Sequence, residues 1–310
     1  MRSGAGTTKL KRATTFLADG LDKTANTFLK SKSDRPLVSI NIPTYNSEET
    51  LEECLQSTKK QTYSNIEIII IDSFSQDRTL EIAQRYNAKT CFADTLSEAR
   101  KLGVERSQGK YVLFLDSDQV LPKDAVEKCV AKCEEEEYDA LTLFERSIIK
   151  SNTFIERVIA YDKWLFHSQR DDHPLYGTAI PRFFRSEVLR KIRWPEGLAV
   201  QEHNLIYYEV SKTGAKIGFQ HIPVYHHEVA SFAQFVRKFY RYGLSYIPAL
   251  KQNKRIVFYH SMPRRVYFTR KAMKKPELFL GLFLIYLVKG VSTFIGVLAY
   301  CLAKSEERAQ

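Results

Sequence analysis

Three places in the sequence set polar and acidic side chains directly after apolar, β-branched runs. Pro43-Thr44-Tyr45-Asn46 follows LVSINI, Asp72-Ser73-Phe74-Ser75-Gln76-Asp77 follows EIIII, and Asp116-Ser117-Asp118 follows YVLFL. Carboxylates gathered at the ends of buried strands are costly unless a cation or a hydroxyl-rich ligand meets them. Asp116 and Asp118 lie two residues apart, so on an extended backbone both project to one side. They can then face a single hard divalent ion, with diphosphate oxygens completing an octahedron.

These groups need a scaffold that delivers them to a common edge. Leu37–Ile42, Glu67–Ile71, Ala88–Phe92 and Tyr111–Leu115 read as strands, and the continuous apolar runs among them mark strands covered on both faces. Between and after them, Ser47–Thr58 (with Ser47 as N-cap), Thr79–Tyr86, Ser97–Ser107 and Asp124–Glu137 read as helices. Repeated βα units of this kind predict an α/β fold with a mostly parallel, doubly wound (Rossmann-like) central sheet. Such sheets bind ligands beyond the carboxyl ends of their strands, where the three polar clusters fall.

The 310 residues are 44% hydrophobic and 27% charged, which excludes disordered, collagen-like and disulfide-scaffold classes. The five cysteines are scattered and odd in number, and point to inert thiols in a reducing compartment. The first residues carry Lys9, Lys11 and Arg12 without an apolar core, so no secretory signal is expected and most of the chain should stay on the side where it is made. The net charge of +11 is unevenly spread: residues 229–276 hold 12 basic side chains and no acidic ones. This run ends against LFLGLFLIYLVKGVSTFIGVLAYCL at 278–302, which as a helix would be about 37 Å long, enough to cross a bilayer. A basic run abutting such a segment predicts membrane association and not nucleic-acid binding. One span, or an in-plane hairpin broken at Lys289-Gly290, would satisfy the pattern. Residues 9–30 carry a loose amphipathic helical pattern.

The run VSINIPTYNSEETLEECLQSTKKQTYSNIEIIIIDSFSQDRT, followed by SEARKLGVERSQGKYVLFLDSDQ, resembles the opening blocks of the family 2 glycosyltransferases of the GT-A fold. The resemblance spans residues 36–228. It implies an inverting transfer of a sugar from a nucleotide diphosphate donor, UDP-linked by preference with GDP as the alternative, assisted by Mn²⁺ or Mg²⁺. It further implies that Pro43, Thr44, Tyr45 and Asn46 wrap the nucleotide and that Asp72 reads the base. Arg100 would lie near base and diphosphate, and Asp116 and Asp118 would form the metal motif.

Gly177–Arg185 resembles the acceptor-side segment, and Glu202-His203 aligns with the family's Glu-Asp pair, whose Asp is the base. His203 standing in that place leaves three readings: histidine as base, Glu202 as base, or an acceptor that is already an anion and needs none. His226, or else His227, matches a third metal ligand, and Arg241 matches a cation over the diphosphate. Two departures, Ser73 and Phe74, replace the family's Asp-Gly.

The expected organisation is an amphipathic segment at 1–35, the transferase domain at 36–228, basic interfacial helices at 229–276, a membrane-embedded segment at 277–303 and a tail at 304–310. The expected acceptor is a membrane lipid such as a polyprenyl phosphate or a lipid-linked saccharide, approached from the cytoplasmic side. The alternatives are a hydroxyl of a cell-envelope glycan, or non-catalytic nucleotide-sugar binding at the membrane.

Overall fold

A computed structural model describes residues 35–167, 181–262 and 265–309. The amphipathic pattern at 9–30 and the acceptor-side residues 177–180 lie outside them. The apolar runs form strands β1 (Val38–Thr44), β2 (Ile66–Asp72), β3 (Lys89–Phe92) and β4 (Tyr111–Phe114), with β1 and β4 buried along their whole length. All of these neighbours pair in parallel, in the order β3-β2-β1-β4.

The period-2 alternation of side chains splits the strands between two cores. Val38, Ile40, Ile42, Ile68, Ile70 and Leu113 face α1 (Leu51–Lys59) and, further along the chain, the helix at Ala125–Glu135. On the opposite face, Ile69 and Ile71 pack with Ala99, and Val112 and Phe114 with Val104. Ala99 and Val104 belong to α3 (Leu96–Arg106), which follows α2 (Thr79–Arg85). Thr95 caps α3 through a capping box with Glu98.

The second half of the sheet is mixed. It comprises β5 (Gln119–Val120), α4 (Ala125–Glu135), β6 (Ala140–Ile148), α5 (Phe154–His167), β7 (Pro181–Arg185), α6 (Ser186–Leu189), α7 (Glu202–Lys212) and β8 (Ile217–His227). The full order is β3-β2-β1-β4-β7-β6-β8-β5. The pairs β4–β7, β6–β7 and β5–β8 are antiparallel and β6–β8 is parallel. Ser47 is not a helix cap: α1 begins at Leu51, the Ser47 carbonyl accepts from the N–H groups of Thr50 and Leu51, and its hydroxyl meets Ser117 Oγ at 2.9 Å.

Beyond the sheet, α8 (Phe232–Gln252) and α9 (Lys254–Ser261) lead through two 3₁₀ turns to α10 (Pro276–Ala309). The helix α10 runs unbroken through Lys289-Gly290 and on through residues 304–309, so neither a hairpin break nor a separate tail forms there. It is long and apolar enough to cross a membrane. The charge at Lys289 is accommodated within the protein: its ammonium lies 3.2 Å from Asp162 of α5 and over the rings of Tyr286 and Phe239.

Candidate active site

The first polar cluster is a pair of interlocked loops. Asp72, fully buried, accepts hydrogen bonds from Thr44 Oγ1 (2.6 Å), Ser75 N–H (2.7 Å) and Ser75 Oγ (2.7 Å). Asn46 takes a left-handed conformation, donates its N–H to Ser75 Oγ and accepts from Gln76 N–H. Both oxygens of Asp72 are thereby engaged in holding the loops together. Pro43 is buried in β1, while the Tyr45 ring is half exposed at the rim. Phe74, at φ +58, carries backbone strain where the resembled family has glycine, and its exposed ring stacks on Phe92 at 5.6 Å.

Asp116 and Asp118 take different partners. β4 ends at Phe114, and Gln119 N–H closes a turn onto the Asp116 carbonyl, so the extended-strand argument for a shared side fails here. Asp116 is held by two arginines, Arg100 at Oδ1 and Arg182 at Oδ2 (3.1 Å). Burial would raise its carboxyl, but Arg100 and then Arg182 outweigh that and hold it well below the ordinary carboxylate range. Asp118 instead faces His226, whose Nε2 lies 3.5 Å from Oδ2, and its buried Oδ1 has no hydrogen-bond partner. Alternation along β8 sends the neighbouring His227 elsewhere, to Glu53 at 3.0 Å.

Glu202 and His203 open α7. The Glu202 carboxylate is fully buried, and its Oε1 sits 2.8 Å from His203 Nδ1 and 3.5 Å from Arg100 Nε. Burial raises this carboxyl, yet His203 and then Arg100 outweigh it and leave Glu202 below its ordinary value. His203 is partly exposed, at 39% of its side chain. Nδ1 lies beside the Glu202 carboxylate, neither of whose oxygens has a hydrogen-bond partner, and Nε2 is the ring nitrogen on the far side.

Arg100 and Arg182 continue this pair into one string of alternating charge. From His203 it runs through Glu202, Arg100, Asp116 and Arg182 to Glu145. Lys163 then bridges Glu145 (2.9 Å) and Glu228 (2.7 Å), and Glu228 reaches His226 at 3.4 Å beside Asp118. The string joins the two ends of the site. A cavity of about 950 Å³ lies against it, lined by Arg100, Arg182 and His203 on one side and by Tyr242, Tyr286 and Lys289 of α8 and α10 on the other.

Among the described residues no three His, Cys, Asp or Glu side chains form a ready metal cage. The unpartnered Asp118 Oδ1 with His226 beside it fits a hard divalent ion, for which these two residues would be the protein ligands and whose charge would offset that of a diphosphate.

Residues 39–200 match the family model described as glycosyl transferase family 2. The chain belongs to this family. An uncharacterized glycosyltransferase of Haemophilus influenzae is 40% identical over 101 residues, covering 30% of this chain and 40% of that protein. The poly(ribitol-phosphate) beta-N-acetylglucosaminyltransferase TarS of Staphylococcus aureus is 32% identical over 115 residues, 34% of this chain and 20% of its own length. The chain therefore aligns with less than half of each of these relatives. Among solved structures, the mannosyltransferase PcManGT of Pyrobaculum calidifontis, in complex with GDP-Man and Mn²⁺, superposes with a TM-score of 0.55 at 15% identity. That match covers 94% of this chain and 97% of PcManGT, and it shows the GT-A fold.

In this family 2 chain, Arg241 lies at the rim and not against Asp116: it is exposed, with its guanidinium 5.4 Å from the Tyr45 ring centroid. Besides Arg100, the cations that turn inward include Arg182 and Lys163, which the sequence reading did not single out. Arg182 stood in a segment resembling the acceptor side, but nothing in its spacing showed that it would meet Asp116. Lys163 and Glu145 carried no motif at all.

Proposed function

We propose that this chain transfers a sugar, with inversion, from a nucleotide diphosphate donor to a hydroxyl group of a saccharide held at a membrane. The observation that carries this reading is the buried Glu202 carboxylate 2.8 Å from His203 Nδ1. A base is required when a hydroxyl attacks and not when a phosphate does, and a carboxylate beside one imidazole nitrogen can orient the ring for that role. The acceptor oxygen bonds to the anomeric carbon as the bond to the diphosphate breaks. The hydroxyl proton passes to His203 Nε2, and the nucleoside diphosphate leaves.

Donor recognition falls to the loops around Tyr45, Asn46 and Asp72, with UDP favoured and GDP as the alternative. Arg100 and Arg182 keep Asp116 ionised and face the cavity where charge develops on the leaving group. Asp118 and His226 would hold Mn²⁺ or Mg²⁺, which when bound neutralises diphosphate charge. A saccharide on a lipid carrier or a cell-envelope glycan suits a cavity walled partly by α10, and TarS, by its name, transfers N-acetylglucosamine to a poly(ribitol-phosphate). A cytoplasmic active site would draw on the nucleotide-sugar pool there. A lipid phosphate remains the rival acceptor, favoured by the cations of the same cavity.

Turnover of UDP- and GDP-sugars with Mn²⁺ tests the reading, since no turnover with any donor would reduce the chain to a binding protein. His203→Ala should lose about 10²–10⁴-fold in kcat with donor affinity unchanged, and added imidazole should recover part of it. A loss under tenfold would put the lipid phosphate in front.

A further inference from the structure

The helix α10 has two apolar faces with different fates. Leu278, Leu282 and Ile285 are at most 6% exposed, packed against the body of the protein. Leu280, Leu284, Leu287, Val291, Phe294 and Leu298, at spacings of three and four, are 46–68% exposed. At 100° per residue the second set falls within a stripe roughly 80° wide on the opposite side, and it continues to Leu302 over about 33 Å. An apolar stripe this long is unusual on a surface bathed by water.

The inner face is fastened along much of its length. Gly281 lies against Phe154 and Val158 of α5, Lys289 pairs with Asp162 of α5, and Gly296 meets the Tyr240 backbone of α8. These helices also carry Arg157, Lys163, Arg237, Lys238 and Arg241, and α10 itself walls the cavity that holds Arg182 and His203. Were α10 to cross a bilayer, the attached helices and the charged cavity would be carried into hydrocarbon with it. Lying flat, it can sink only its outer stripe.

The flanks match such a seat. Just before α10, the exposed apolar side chains Phe268 (74%) and Met273 (50%) alternate with exposed Arg270, Lys274 and Lys275. Across residues 229–276 no acidic side chain offsets the basic ones, which complements anionic headgroups.

We propose that α10 lies in the plane of an anionic bilayer, immersed along its outer stripe, and holds the chain on one leaflet without crossing it. The acceptor cavity then opens beside the headgroups from which a lipid-carried saccharide would reach His203. The seat does not depend on the transfer reaction, and its test reads binding and topology instead of turnover.

The full chain is floated with phosphatidylcholine vesicles with and without 30% phosphatidylglycerol, an amount on the order of that in anionic membranes. Leu284→Glu/Leu287→Glu, on the exposed stripe, should bind the anionic vesicles at least about tenfold more weakly while keeping the parent's melting temperature. In sealed membrane vesicles from expressing cells, Lys275→Cys and Ser305→Cys should react with an impermeant maleimide from the same side. Reaction from opposite sides would mean that the helix spans, and would overturn the proposal. So would a parent chain that ignores vesicles but dimerises through the stripe, with the double variant monomeric.

Discussion

Arg100 joins two carboxylates from opposite halves of the site, Asp116 on the donor side and Glu202 on the base side, while only 2% exposed itself. Its planar fork can reach both at once, and the Phe114 ring 5.1 Å away covers it. A lysine presents a single ammonium and cannot span the two. Arg100→Lys should therefore keep the fold but lose roughly 10²-fold in turnover, since Glu202 no longer has a fixed partner on its far side. Arg100→Met leaves a buried carboxylate uncompensated and should cost about 3–5 kcal/mol in denaturant unfolding. Equal activity in the parent and the lysine variant would show that the link between donor and base sides carries no function. The strained Phe74 is a second local feature, and nothing in its own contacts beyond the Phe92 stack accounts for the strain.

At the scale of elements, the crossing of α8 and α10 depends on two glycines. A Cβ on Gly243 would overlap the Thr293 carbonyl, and one on Gly296 the Tyr240 carbonyl, both of them helix backbone that cannot step aside. Gly290, in the same helix, has open space within 4 Å. Gly296→Leu should accordingly destabilise by about 1–3 kcal/mol or more, whereas Gly290→Ala should stabilise by about 1 kcal/mol through helix propensity alone. Thermal melts of the two variants check this, and similar melting temperatures would remove the crossing from the account.

Three of the strands that could be read in the sequence share a physical cause. β1, β2 and β4 are covered on both faces, so their burial leaves an unbroken apolar run. β6 was not legible because Glu145 and Ser147 in its outer half turn to Lys163 and Glu228, and α5 because Asp162 and Lys163 turn inward to partners that no local pattern reveals. The same limit applies to Asp116 and Asp118: their spacing was visible, but neither the turn that Gln119 closes between them nor the hold of Arg182 on Asp116 could be read from it.

Over the whole molecule, the buried charges fix how stability should respond to acid. His167, at the end of α5, lines the cavity; burial chiefly, then Lys163 and Arg182 against the opposing pull of Glu145, lowers its imidazole to about 4. An unfolded chain binds a proton there near 6.5, so unfolding gains a proton between those values and stability falls as pH drops from 6.5 toward 4. Glu145 and Glu202 act in a lower window. Burial alone would raise both, but Lys163 and Arg182 for the first, and His203 and Arg100 for the second, hold them below the ordinary carboxylate value. Their contribution is full above about 4.3 and is lost only as pH falls through their folded values. Acid unfolding should therefore proceed in two stages, the first on the order of 2 kcal/mol once the partial exposure of His167 is allowed for. Substituting His167→Gln removes the titrating group while keeping a polar side chain in the cavity. Urea unfolding at intervals from pH 7 to 3 should then show a plateau down to about 4.5 in the variant where the parent already slopes. A parent that is flat across 6.5 to 4.5 would mean that water reaches His167, and that the cavity beside Glu145 and Arg182 is wet enough to solvate an imidazolium.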